Sequence, residues 1–125
     1  MNSVDKYLGL AIQIANEDRM RNTTRGKMHM CCVGVSRRTT VAQVNVQNSQ
    51  TRHLPGHAER RVLNHFGDNE KVVLYVGRVD NYGKIALAKP CPNCMKAILG
   101  KSVSRVYYTT DSGFVCMSNV QGVQQ

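Results

Sequence analysis

Four residues in two short stretches carry the chemistry: His57 and Glu59 in Pro55-Gly56-His57-Ala58-Glu59-Arg60, and Cys91 and Cys94 in Lys89-Pro90-Cys91-Pro92-Asn93-Cys94. One imidazole and two thiols suit zinc. Three protein ligands leave the fourth tetrahedral position to water, which is what separates a catalytic zinc from a structural one. Zinc lowers the pKa of such a water from about 15.7 to roughly 7, so hydroxide becomes available at neutral pH. Glu59 is an acid beside the ligands that need not bind the metal, and a carboxylate there can carry protons. Hydrolytic deamination needs two transfers, one to a ring nitrogen as hydroxide attacks and one to the departing amine. A single carboxylate that shuttles both contributes about 10² to 10⁴ in rate. The competing reading is a structural zinc with a fourth ligand from Cys31, Cys32, Cys116, His53 or His65, which leaves Glu59 unexplained.

Positioning these groups requires particular elements. On an ideal helix His57 and Glu59 lie about 200° apart, so both face one pocket only from a helix mouth. Pro55-Gly56 delivers the chain to such a mouth, and a helix follows with Ala58, Val62, Leu63 and Phe66 on its buried side, stopped by Gly67-Asp68-Asn69. Pro92 suits the first position of another helix that buries Met95, Ile98 and Leu99 and ends at Gly100. Both motifs thus fall at loop-to-helix junctions, where amide N–H groups and the helix dipole favour thiolate and hydroxide.

The remaining elements follow from periodicity. Val4, Leu8, Ala11, Ile12 and Ala15 recur at helical spacing, which predicts a helix capped by Ser3 and running to about Arg21. Met28 to Val35 is apolar on both alternating faces, as in a central strand, and pairs as a hairpin with Thr39 to Val46. Further strands are expected at Val72 to Val76, Val103 to Thr109 and Phe114 to Met117, with turns in the segment from Arg78 to Lys84 and at Asp111-Ser112-Gly113. The order gives an α/β fold, a mixed sheet of about five strands flanked by helices.

Composition bounds the rest. The 125 residues form one expected domain, 1–125, with no apolar run near the roughly 20 residues that span a bilayer. The first residues lack the basic start and apolar centre of a secretory signal, which implies a cytoplasmic protein. Five cysteines, an odd number, argue for reduced thiols and metal binding over a disulfide framework. Cys31, Cys32 and Cys116 lie in apolar strand runs and read as small core residues. The net charge of +9 suits a phosphorylated small substrate as well as a nucleic acid.

His-Ala-Glu followed by Pro-Cys-Pro-Asn-Cys resembles the zinc-dependent cytidine and deoxycytidylate deaminase superfamily. The resemblance implies a three-layer α/β/α fold, one Zn²⁺ per chain held by His57, Cys91 and Cys94, and Glu59 as the catalytic acid and base. Asn45-Val46-Gln47-Asn48-Ser49 is similar to the segment by which free-nucleoside cytidine deaminases hold the ribose, which implies that Asn45 contacts the sugar. Gln47 stands where that family has Glu, and His57 where it usually has Cys. Ala58 and Pro90, each beside a ligand, complete the substrate-contact candidates. The implied function is conversion of cytosine to uracil in a free (deoxy)cytidine nucleoside or nucleotide such as deoxycytidylate. Alternatives are a polynucleotide deaminase acting on single-stranded DNA or RNA, a purine-base deaminase, and a nucleic-acid binding module with zinc for stability. Small members of the family commonly build dimers or tetramers, so the resemblance also implies a homo-oligomer.

Overall fold

The computed structural model describes residues 2–21, 29–45 and 57–118. Its elements run α1 (Ser3–Arg21), β1 (His29–Val35), β2 (Thr40–Val44), α2 (Ala58–Leu63), β3 (Val72–Val79), β4 (Ile85–Ala86), α3 (Pro92–Leu99), β5 (Val103–Thr110) and β6 (Gly113–Ser118). The strands form one mixed six-stranded sheet in the order β2-β1-β3-β5-β6, with β4 paired to β3 off this path. Only β3 and β5 run parallel, and the other neighbours are antiparallel. The parallel pair is joined through α3, which packs on the same face as α2.

Side chains on the two faces of the sheet form two cores. Met30, Cys32, Leu74, Val76, Val106 and Tyr108 pack with Ala58, Val62, Leu63, Ala88 and Ile98 on the α2 and α3 side. Cys31, Val33, Tyr75 and Val79 pack with Leu8, Ala11 and Ala15 of α1 on the other. α1 starts at Ser3, but its cap is Asn2, whose side-chain oxygen accepts the Asp5 N–H at 2.9 Å. Asn2 is the better cap because it stands one residue outside the helix, where its oxygen can reach the open amides of the first turn.

Two glycines set the layer spacing. A Cβ at Gly77 would lie 3.0 Å from the Ile12 nitrogen and 3.1 Å from the Ala11 Cβ, so glycine lets α1 lie close against β3. A Cβ at Gly34 would lie 2.5 Å from Val62 Cγ1 and 2.9 Å from a Phe66 ring carbon, on the α2 side. Gly34→Ala is therefore expected to cost about 1–3 kcal/mol in a denaturant titration, because β1 and α2 must separate to admit the methyl. An unchanged midpoint would show that α2 can shift freely.

Glu70 staples the turn after β1 to the turn after α2. It accepts from the Ser36 hydroxyl at 2.7 Å, from Arg38 Nε at 3.1 Å and from the Gly67 N–H at 3.2 Å. The Arg38 and Ser36 hydrogen bonds hold its carboxyl below the usual carboxylate range. A depressed folded-state pKa contributes stability above the unfolded-state value of about 4.3 and loses it as pH falls through the folded-state value. Glu70→Gln should accordingly destabilise equally at pH 6 and pH 7, and the gap to the parent should close below about pH 4. A gap that widened in acid would contradict this.

Cys116 departs from its expected core position and is exposed. β6 is the last strand of the sheet path, and pairing places Cys116 beside Tyr107 on the α1 side, where α1 covers mainly β1 and β3. Among the described residues no helix is long and apolar enough to cross a membrane.

Candidate metal centre

His57 and Cys91 occupy equivalent positions, each the residue just before a helix. His57 precedes α2 with φ −70° and ψ 140°, and Cys91 precedes α3 with φ −71° and ψ 167°, so both are extended residues at a helix mouth. Cys94 lies in the first turn of α3 and is fully buried. His57 Nδ1 lies 3.0 Å from Cys94 Sγ and 3.4 Å from Cys91 Sγ, and the three ligand atoms all fall within 4.8 Å of one another. Ligand distances of about 2.0–2.3 Å put the edges of a tetrahedral zinc site at roughly 3.5–3.8 Å, so this donor set is of the right kind and near the right size.

Glu59 sits in the first turn of α2 with 2 % of its surface exposed. Its Oε1 is 3.7 Å from Cys94 Sγ. Burial pushes the carboxyl above its ordinary range, and burial together with that carboxylate pushes the Cys94 thiol up. Two anion-forming groups in contact away from water are costly unless a cation lies among them. That is a second reason why the residues fit a divalent metal. Cys32 forms part of the floor: burial, then the nearby Glu59 carboxylate, raise its thiol well above the usual value.

The substrate-contact candidates are placed unequally. Asn45 follows β2 and pairs with Met30: its N–H donates to the Met30 carbonyl at 3.1 Å, and its side-chain oxygen accepts the Met30 N–H at 3.0 Å. Its neighbour Val44 offers its carbonyl to the Arg61 guanidinium of α2, which brings this end of β2 to the metal helix. Ala58 and Pro90 are buried beside the ligands. Gln47 and His53 lie outside the described residues. His65 is exposed and contacts Gln43, while His29 is buried against Asp18 of α1 at 3.4 Å on the opposite face of the sheet. The described residues bring no fourth histidine, cysteine or carboxylate into the triad.

Of the two adjacent tyrosines, Tyr108 faces the metal side and Tyr107 the α1 side. Arg78, read from sequence as the start of a turn segment, instead belongs to β3, opposite Met30. Only the pairing reveals it, since the run Val-Gly-Arg-Val has no alternation that assigns a face.

The family described as "Cytidine and deoxycytidylate deaminase zinc-binding region" matches residues 1–110. Among solved structures, cytidine deaminase from Mycobacterium leprae is similar over 100% of both chains, with a TM-score of 0.61 and 19% identity. At that identity the likeness concerns the fold. No curated protein matches by sequence.

Proposed function

Because the chain belongs to the cytidine and deoxycytidylate deaminase zinc-binding family, we propose that it is a hydrolytic deaminase that converts cytosine to uracil in a free nucleoside or nucleotide. The observation that carries this reading is a buried carboxylate, Glu59, set against a His57-Cys91-Cys94 donor set with no fourth protein ligand among the described residues. A structural zinc has no use for such a group.

Water adds at the carbon bearing the amine, the C–N bond breaks, and ammonia leaves. When bound by His57, Cys91 and Cys94, zinc supplies the Lewis acidity that makes water nucleophilic near neutral pH. Glu59 takes the proton that the water gives up and delivers it to the adjacent ring nitrogen, then takes the remaining proton of the added hydroxyl, as that oxygen becomes the carbonyl, and carries it to the leaving amine. Its burial suits that work, because a carboxyl raised above its ordinary range by burial takes up a proton more readily than an exposed one. The extended backbone at His57 lets ligand and proton carrier share one pocket although they are two residues apart.

Asn45 holds the sugar in this reading. Its side-chain oxygen accepts the Met30 N–H, which fixes the side chain at the end of β2, and an amide carries both donor and acceptor groups of the kind a sugar hydroxyl pairs with. Ala58 and Pro90 line the pocket beside the ligands. The test is ammonia release from a panel of cytidine, deoxycytidine and their phosphates by zinc-loaded protein. Activity on one of them supports the reading, and silence on all of them overturns it.

A further inference from the structure

Arg78 is a cation on the metal side of the sheet that makes no carboxylate ion pair among the described residues. Residues paired across a sheet share a face, and Met30, on the metal side, pairs with Asn45 on one flank and Arg78 on the other. Asn45, Met30, Arg78 and Ala86 thus form one row. Neighbouring strands are about 4.8 Å apart, which puts the Asn45 and Arg78 backbones about 10 Å from each other. The row below contains Cys32 and Val76, and Cys32 lies within the fields of Glu59 and Cys94. Arg78 is therefore one repeat, roughly 6.6 Å, from the metal floor toward the C-terminal end of β3.

The side chain is half-buried and partly satisfied. One terminal nitrogen donates to the Leu87 carbonyl at 3.1 Å, while Nε is buried with no hydrogen-bond partner among the described residues. Asp80 is the nearby acid and feels the Arg78 charge, but its carboxylate is held chiefly by the Lys84 and Tyr82 amides at 2.9 and 2.8 Å, and the two side chains form no close ion pair among the described residues. A buried guanidinium donor without a partner is costly, and an anion with paired oxygens satisfies it.

We propose that Arg78 is a specificity-determining residue that binds the phosphate of a nucleotide whose sugar lies against Asn45. This rests on the deaminase reading of the site and narrows its substrate class from nucleoside to nucleotide. A free nucleotide fits better than a polynucleotide: the exposed Tyr82 belongs to a turn whose Asn81 and Gly83 lean on Arg19 and Asn16 of α1, and the described aromatics of the metal-side core, Phe66 and Tyr108, are both buried. No stacking platform for flanking bases is present there among the described residues.

The test uses zinc-loaded protein in three forms: parent, Arg78→Gln and Arg78→Lys. Calorimetric titration with inorganic phosphate should show affinity about tenfold to a hundredfold weaker in Arg78→Gln, with Arg78→Lys between. The ratio of kcat/KM for deoxycytidylate to that for deoxycytidine should fall by a similar factor. A residue that merely clamps Leu87 would alter both substrates together and leave the ratio in place. Equal phosphate affinity in parent and Arg78→Gln overturns the proposal, as does an unchanged substrate ratio. Arg78-dependent binding of a single-stranded oligonucleotide tighter than that of deoxycytidylate also overturns it. If none of the three proteins deaminates cytosine, the deaminase reading fails, and the phosphate titration still decides Arg78.

Discussion

Glu59→Gln is expected to lower turnover by about 10²- to 10⁴-fold with zinc content and fold retained. Glutamine matches glutamate in size, so the packing of α2 against β1 and Cys94 survives, and the side chain is not a metal ligand in this account. What disappears is the ability to accept and return a proton. The variant should be at least as stable as the parent, since a buried carboxylate is tolerated for activity and not for folding. Measuring kcat/KM, bound zinc and melting temperature on one preparation separates these effects. A variant that lost zinc along with activity would make Glu59 part of the donor set, and one with full activity would leave it without a role.

Cys94→Ala removes one of three donors and is expected to abolish stable zinc binding. The loss should also appear in stability. A metal present at about a thousand times its dissociation constant stabilises the folded state by about 4 kcal/mol, which for a chain of this size is roughly 15 °C in melting temperature. Chelation should lower the parent's melting temperature by a similar amount and leave Cys94→Ala almost unmoved. The residual stability of the variant should stay appreciable, because both cores are built from aliphatic, aromatic and thiol side chains that pack without the metal. If chelation unfolded the parent completely, zinc would be the organiser of the fold and the reading of a preformed catalytic centre would weaken.

The metal site was legible in the sequence because each part has a local signature. Pro92 marks a helix start, the expected helix mouth at His57 is where α2 begins, and the ligand types do the rest. α1 and the β1–β2 hairpin were legible for the same reason, since Leu8, Ala11 and Ala15 repeat at helical spacing and β1 is apolar on both faces. The far end of β3 was not. The expected strand ends at Val76 and Arg78 opens a turn segment, yet β1 pairs with Gly77 and Arg78 and α1 presses on Gly77, so tertiary contacts extend the strand to Val79. That extension creates the β3–β4 hairpin, adds the sixth strand and carries Arg78 into the row of Asn45. Cys116 misled for a related reason: an apolar run shows that a strand forms, but not that it lies at a sheet edge with one face uncovered.

The most direct measurement is ammonia release by protein carrying one zinc per chain, offered cytidine, deoxycytidine, cytidylate and deoxycytidylate in turn. The account predicts that at least one is converted to its uracil counterpart with one ammonia per turnover. It also predicts that Glu59→Gln and chelation each remove the activity. No ammonia from any of the four, with zinc bound and the protein folded, would contradict it.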